Sequence, residues 1–188
     1  AKDEVCFDSL LCFLQIFVIN AGESISPFIP TIMTMLLQFI VENHSVVSIL
    51  AIGSVSFVSS PELVEPFIYN CFNILYEIII NDGMDDKSVR NQCLSSLSLI
   101  ASKFDLSEYL GQIFELTLRI IQNIELNEWN DFDFSSAAFL IDLYVSLIRT
   151  QNEIDESILS DIFEIISHQN SSIDLNIDDD GEIIEFSE

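Results

Sequence analysis

The residue types that most often carry catalysis are present in this 188-residue sequence, but their spacing fits no known reaction. The two histidines, His44 and His168, lie at expected helix ends more than a hundred residues apart. A nucleophile needs a base within hydrogen-bond reach, and neither histidine belongs to such a pattern. The sequence has no Gly-x-Ser-x-Gly turn and no glycine-rich phosphate loop. We therefore predict that the protein is not an enzyme.

The cysteines are predicted to be core residues rather than ligands. Four are present, with no Cys-x-x-Cys pair and no histidine cluster nearby, and zinc needs several such ligands at short spacing. The four are Cys6, Cys12, Cys71 and Cys93, each in an apolar run where a free cysteine behaves as a small hydrophobic side chain. The acidic loop at residues 82–86 lacks the alternating ligands of a calcium site. We expect no metal, no cofactor and a reducing compartment.

The charge balance narrows the class of partner. The chain has 31 acidic and 6 basic residues, a formal net charge of −25. Phosphate binding needs clustered lysine and arginine, so nucleic acid is excluded as a partner. A disordered acidic tail is excluded too, because 49% of the residues are hydrophobic and such tails lack core-forming side chains. A partner that binds through charge should be a basic protein.

The mean hydropathy of +0.41 raises a membrane protein as one alternative. Residues 24–41 and 43–61 contain no charged side chain, and each approaches the roughly 20 residues that cross a bilayer. Prolines and Gln38 interrupt the first run, and six serines interrupt the second. No loop has the excess of lysine and arginine that orients a membrane protein. We therefore expect no membrane insertion.

The apolar spacing predicts helices throughout. Between Lys87 and Phe104, apolar residues recur in steps of four, four, three and four, which is one face of a helix: Val89, Cys93, Leu97, Ile100 and Phe104. In the next helix the polar residues recur in the same way: Glu108, Gln112, Glu115, Arg119 and Gln122. Such a helix is buried on most sides and open to water along one stripe. No segment alternates with period two for long, so the fold class is all-α.

Eight helices are predicted from these patterns. Gly22 should end the first helix in the left-handed conformation, Ser26-Pro27 should begin the second, and Ser60-Pro61 the fourth. The approximate bounds are 3–21, 27–42, 45–59, 61–81, 87–104, 108–122, 134–150 and 154–168.

The helices recur in pairs. Aligning the first helix of each pair at Val5, Val46, Val89 and Ser136 gives steps of 41, 43 and 47 residues, which is the HEAT/armadillo period. We predict a HEAT/armadillo-type α-solenoid of four antiparallel pairs, at about 1–43, 44–82, 83–125 and 126–170. Residues 171–188 hold seven acids and no base. They are either an acidic tail or a loop that leads into a further repeat, and an array favours the loop.

This order of helix pairs resembles the C-terminal half of the importin-β (karyopherin-β) family. The resemblance covers about Val5 to Ile166, and short phrases at helix starts carry it: Ser26-Pro27-Phe28, Pro61-Glu62-Leu63-Val64-Glu65-Pro66-Phe67, Lys87-Ser88-Val89-Arg90 and Glu108-Tyr109-Leu110. The acidic linker that includes Asp131-Phe132-Asp133 also resembles that of the family. The chain departs from it in composition, because Ile, Asn, Ser and Phe are abundant and basic residues are few. It would be a divergent member.

The resemblance implies a nuclear transport receptor that moves between cytoplasm and nucleus through the nuclear pore. A basic cargo, or an adaptor like importin-α, would bind a concave surface lined by the second helix of each pair. Phenylalanine-glycine repeats of nucleoporins would bind between first helices, and the small GTPase Ran would compete in the whole protein. The alternative is a generic HEAT scaffold, such as a regulatory subunit of a phosphatase or of a cytoskeletal complex.

The candidate partner-binding residues follow the polar stripe of the second helices. A wall of one charge sign attracts a basic partner, whereas the simpler explanation for any single acid is a solvated face. Trp129, the one tryptophan, lies in the linker before the seventh helix and would stack on a partner cation or cap a helix pair. The candidates are Glu77, Glu108, Glu115, Asp161, Glu164 and Trp129. Most phenylalanines of the first helices are expected in the core: Phe7, Phe13, Phe17, Phe57, Phe104 and Phe139.

Overall fold

Helices make up every regular element that the structure describes. The computed structural model describes residues 2–43, 46–123 and 131–150, and no strand occurs in these ranges. The α-helices are α1 (Lys2–Ala21), α2 (Ile29–Asn43), α3 (Val46–Val58), α4 (Pro61–Ile78), α5 (Lys87–Ala101), α6 (Leu110–Asn123) and α7 (Asp131–Thr150). All belong to one of two units of the chain, Ala1–Asn152. The all-α prediction is confirmed, while the predicted eighth helix and residues 171–188 lie outside the described residues.

Proline and glycine set several helix ends as expected. Gly22 has φ +55°, the left-handed conformation that glycine adopts without strain, and it ends α1. Ser60 is extended before Pro61, the first residue of α4. The prediction that Ser26-Pro27 begins the second helix is wrong, because a 3₁₀ helix occupies Gly22–Phe28. The proline that serves the start of α2 is Pro30, at its second residue, where a missing N–H is tolerated.

Three further boundaries differ from the sequence pattern. After α4 the chain continues through a π-helical turn, Ile79–Gly83, before the loop at the start of α5. There the Asp86 carboxylate accepts hydrogen bonds from the backbone N–H groups of Ser88 and Val89, which caps α5. α5 ends at Ala101, three residues before Phe104, although the Phe104 side chain is buried as predicted. α7 begins at Asp131, three residues before its predicted start.

Alternate helices pack side by side. α1 packs on α3, α3 on α5 and α5 on α7, while α2 packs on α4. α2 also contacts α3, and α4 contacts α5. Tyr109, in the 3₁₀ turn before α6, joins α6 to α4 because its ring stacks on Phe72 of α4 with centroids 4.0 Å apart. The described helices therefore form one layer of α1, α3, α5 and α7, and α2 and α4 lie against it.

α5 is the most enclosed of these helices. The predicted apolar face is confirmed, since Cys93, Leu97 and Ile100 have no exposed surface. Burial extends beyond that face to Arg90, Asn91 and Ser98, because both α3 and α7 pack on α5. The sequence pattern marks only the more apolar part of the buried surface.

Two of the cysteines behave as predicted and one does not. Cys71 and Cys93 are fully buried. Burial raises the pKa of the Cys71 thiol to about 12, and it raises the pKa of the Cys93 thiol as well. Both thiols are therefore protonated and unreactive at neutral pH. Cys12 is exposed on α1, so the expectation of a core position is wrong there. The side chain of Cys6 lies outside the described residues.

The phenylalanines of the first layer are less buried than expected. Phe13, Phe17 and Phe57 expose about half of their surface or more, at 64%, 49% and 50%. Phe104 is in the core, and Phe139 is half-buried. The prediction that most are core residues is wrong for the first three. α1 packs chiefly on α3, so its other side remains open to solvent.

Two helical stretches are long and apolar enough to span a membrane by length and composition, Ser24–Glu42 and Pro61–Gly83. In each, 39% of the apolar window is buried in the protein. Core helices of soluble proteins pass the same test, so this observation is weak evidence. Within the other uncharged run, residues 43–61, the described helix α3 has 13 residues and is shorter than a bilayer requires.

Gly53 sets the distance between α3 and α5. A Cβ atom on Gly53 would lie 2.8 Å from the Cα of Ser96, whose hydroxyl donates a 2.7 Å hydrogen bond to the Ile49 carbonyl. We expect Gly53→Ala to lower the free energy of unfolding by about 1–3 kcal/mol, because the overlap with backbone outweighs the better helix propensity of alanine. Denaturant unfolding followed by circular dichroism measures this loss.

Gly111→Ala is the matched control. Gly111 lies in α6, and a Cβ atom added there would meet no other atom within 4 Å. The same change should therefore leave stability unchanged or raise it by up to about 1 kcal/mol. Equal effects of the two substitutions would contradict the close approach of α3 and α5.

Candidate partner-binding surface

The polar stripe predicted for the sixth helix is exposed as expected. Glu108 and the stripe residues of α6 are all open to solvent: Gln112, Glu115, Arg119 and Gln122. Ile113, Leu116 and Ile120 of the same helix are buried. On α4, Glu77 and Asn70 are exposed, and Asn73 is half-buried. We call the exposed side chains Glu77, Glu108, Gln112 and Glu115 the acidic surface.

The phenol of Tyr76 lies within electrostatic reach of two of the predicted acids. Burial is the main cause that raises the pKa of the Tyr76 phenol, and the negative charge of Glu115 raises it further. Arg119 acts in the opposite direction, and Glu77 adds a smaller upward contribution. The carboxylates of Glu77 on α4 and Glu115 on α6 are therefore both within electrostatic reach of one phenol. Two acids that are 38 positions apart in the sequence thus act on the same phenol.

The two carboxylates differ in how far they are already partnered. Glu115 Oε1 accepts from a guanidinium nitrogen of Arg119 at 2.6 Å, with both side chains about half exposed. An exposed i,i+4 pair of this kind adds little stability, but it reduces the negative charge of the surface. Within the described part of the chain, Glu77 accepts a single neutral hydrogen bond, at Oε2 from the Asn81 amide at 3.2 Å. Glu77 is therefore the stronger attractor of the two for an incoming cation.

Glu108 lies beside an aromatic cluster. It is exposed in the 3₁₀ turn that precedes α6, next to Tyr109. The Tyr109 ring contacts Phe72 and lies 6.4 Å from the Tyr69 ring. Burial raises the pKa of the Tyr109 phenol, and Glu108 is the next cause. Tyr109 contacts α4 near Tyr69 and Phe72, whereas Glu115 acts on Tyr76, so Glu108 and Glu115 lie at different levels along α4.

A groove beside Glu77 could not be read from the sequence. It lies between α2 and α4 and has a volume of about 230 Å³. Its lining is mostly apolar, with two polar residues: Ile40, Val41, Asn73, Ile74, Glu77 and Ile78. α2 and α4 are both apolar along most of their length, so no local pattern marks Val41 and Ile74 as groove residues. Only the packing of α2 on α4 joins them to Glu77.

The remaining candidates, Trp129, Asp161 and Glu164, lie outside the described residues, so their predicted role is untested. Among the residues that the structure does describe, no group of three or more His, Cys, Asp or Glu side chains is placed to hold a metal ion.

The most strongly built polar cluster is one that sequence analysis missed. Asp133 is buried on α7 and accepts from Lys87 at 2.7 Å and from Arg90 at 3.0 Å. Arg90 also donates to the Ser136 hydroxyl at 3.0 Å, and Ser136 donates to Asn91. The sequence pattern places Asp133 in a linker, whereas it is the third residue of α7. These side chains join α5 to α7 in the interior, so their role is structural.

Burial lowers the pKa of the Arg90 guanidinium, and the hydrogen bond and charge of Asp133 oppose that shift. Arginine is ordinarily protonated far above neutral pH, so the guanidinium stays charged in the core. The negative charge of Asp133 offsets the cost of burying that positive charge.

The fold and the surface define an all-α protein with an exposed row of carboxylates and amides on neighbouring helices. Comparison of the chain with protein-family models, with curated proteins and with solved structures finds no match. The importin-β resemblance therefore rests on the order and spacing of the residues alone.

Proposed function

We propose that this chain is a segment of a HEAT-type nuclear transport receptor, similar to importin-β, that binds a basic cargo or adaptor through the acidic surface. One observation carries the proposal: Glu77 on α4 and Glu115 on α6 are both exposed and both within electrostatic reach of the Tyr76 phenol, in a chain of net charge −25. Carboxylates of one sign on one surface raise the local concentration of a basic partner and speed its association. The side that carries them would be the concave side of the array.

The order of packing supports a solenoid. In a stack of helix pairs, each first helix contacts the first helix of the next pair, and each second helix contacts the next second helix. The contacts of α1 with α3, α3 with α5 and α5 with α7 follow this order, as does that of α2 with α4. The pairs would be α1 with α2, α3 with α4 and α5 with α6, and α7 would open the fourth.

The first-helix layer has features that suit a second type of partner. Phe13, Phe17 and Phe57 are exposed on α1 and α3. A cavity of about 270 Å³ lies where these two helices end, lined in part by Val18, Ile25, Ile29 and Val58. Phenylalanine side chains of nucleoporin repeats would bind in this region, and the protein would work in cytoplasm, nucleus and nuclear pore. Ran would regulate the parent array.

Charge reversal tests the acidic surface. We expect Glu77→Lys with Glu115→Lys to weaken binding of an Arg/Lys-rich helical peptide by about three- to tenfold, mainly through slower association, because exposed charges act over several ångströms. The effect of the reversal should shrink as salt is added. The screening length is about 8 Å at physiological ionic strength and becomes shorter above it. Titration calorimetry and stopped-flow fluorescence at two salt concentrations measure both quantities.

Asp142→Lys is the control for net charge. Asp142 is exposed on α7, in the other layer, and its reversal changes the charge as much as Glu77→Lys does. We expect it to weaken binding less than Glu77→Lys. If the two single reversals act equally, the peptide senses only the net charge, and the proposed site is wrong. A helical circular dichroism spectrum and an unchanged unfolding midpoint confirm that each variant is folded.

A further inference from the structure

We infer that the segment bound by the acidic surface is an amphipathic basic helix, with a large apolar side chain that enters the groove between α2 and α4. This inference rests on the proposed function and specifies the partner. Binding would then combine burial of an apolar side chain with an ion pair, rather than depend on electrostatic attraction alone.

The groove offers apolar surface that the fold itself leaves uncovered. Its floor is formed by Ile40, with no exposed surface, and Ile78, 5% exposed. Val41 on one wall is 60% exposed, and Ile74 on the other is half-buried. The volume of about 230 Å³ accepts a leucine, methionine or phenylalanine side chain. Anchors of this kind, seated in a pocket, contribute most of the affinity in many interfaces.

The polar edge of the groove presents hydrogen-bond acceptors. The partner should therefore carry a hydrogen-bond donor close to its apolar anchor residue. Asn73 donates one amide N–H to the Tyr69 carbonyl at 2.9 Å, which leaves its side-chain oxygen as an acceptor and its second N–H for a partner. Glu77 Oε2 accepts from Asn81, and Oε1 accepts no hydrogen bond from any described residue. Lysine and arginine carry only donors. The edge therefore complements a cation beside an apolar residue.

A helix supplies that combination on one face. Residues three or four positions apart lie on the same side of a helix, so one apolar residue and one lysine or arginine at this spacing meet the groove and Glu77 together. Helix binding in a groove between two helices is an established mode of peptide recognition. The partner chemistry is thus an apolar residue followed or preceded by a cation at helical spacing.

Two synthetic helical peptides of identical charge test the inference. One carries leucine at the anchor position, and the other carries alanine there; both residues favour helix. We expect the leucine peptide to bind about tenfold more tightly, as partial burial of one leucine predicts. The difference should persist at about 0.5 M salt, because burial of apolar surface is not screened, while both absolute affinities fall.

Variants of the groove locate the effect. Val41→Asn should abolish the preference for leucine and leave the affinity of the alanine peptide unchanged. Ile74→Phe should do the same by filling the groove. Ile141→Asn is the matched control, since Ile141 is also an exposed β-branched residue, on α7 in the other layer, and its replacement should preserve the preference.

The outcomes separate this inference from the function on which it rests. Equal binding of the two peptides to the unaltered protein overturns the anchor and leaves a purely electrostatic site. A preference for leucine that survives Val41→Asn and Ile74→Phe also overturns it, because the anchor would then lie elsewhere. Failure of both peptides to bind at low salt overturns the proposed function and the inference together.

Discussion

Replacement of Asp133 by alanine is expected to lower the free energy of unfolding by about 3–5 kcal/mol, the cost of leaving a buried charge without its partner. Arg90 has no exposed surface, and its guanidinium donates to Asp133 and to Ser136. Without the carboxylate, the Arg90 charge would remain between α5 and α7 with one neutral acceptor. Lys87 would lose its partner too, but it is one-third exposed and can reach water.

Urea unfolding followed by circular dichroism measures this loss. Two further variants show whether the loss comes from the unpaired buried charge. Glu115→Ala removes the acid of an exposed pair and should cost less than about 1 kcal/mol. The double variant Arg90→Met with Asp133→Leu removes both buried charges and should recover much of the stability lost in Asp133→Ala. A single-variant loss no larger than that of Glu115→Ala would show that Asp133 is solvated in solution.

Leu97→Ala is expected to cost about 2–5 kcal/mol, through lost burial and the cavity that remains. Leu97 lies in the middle of α5 with no exposed surface, and α5 is enclosed by α3 and α7. Neighbouring backbone therefore has little freedom to close the cavity. Thermal and denaturant unfolding measure the change.

Ile148→Ala is the matched control for apolar truncation, because Ile148 is 41% exposed on α7. It should cost about 1 kcal/mol or less. Since contacts in a solenoid are local, hydrogen exchange in Leu97→Ala should increase most in α3, α5 and α7 and least in α1. A uniform increase over all helices would contradict the solenoid proposal, whereas a small loss at Leu97 would contradict its position in the core.

Local patterns predict the helices and two of their ends. The period of the apolar residues places Leu97 and Ile100 on a buried face and Glu115 on an exposed one, and both assignments hold. Gly22 and Pro61 mark helix ends because glycine permits the left-handed conformation that ends α1 and proline fixes φ at the first residue of α4. The start of α2 does not follow from the local pattern, since Pro27 and Pro30 both lie near it and a 3₁₀ turn accommodates the first.

Hydrophobic composition does not decide which apolar residues are inside. Phe13 is as apolar as Phe72, yet it is exposed and Phe72 is buried. The difference comes from the number of helices around the helix that carries each one. α1 packs chiefly on α3, whereas α4 packs on α2 and α5, and the Tyr109 ring stacks on Phe72. A sequence pattern gives the angle of a residue around its own helix and not the neighbours of that helix.

The helical class, the orientation of the buried faces of α5 and α6, and the acidity of the surface follow from the sequence, because they depend on residues within a few turns of one another. Three contacts follow only from the tertiary structure: Arg90 meets Asp133, Gly53 lies against Ser96, and Val41 and Glu77 share one groove. Each of these contacts joins residues that are 36 to 43 positions apart, and helix–helix packing rather than local backbone preference brings them together.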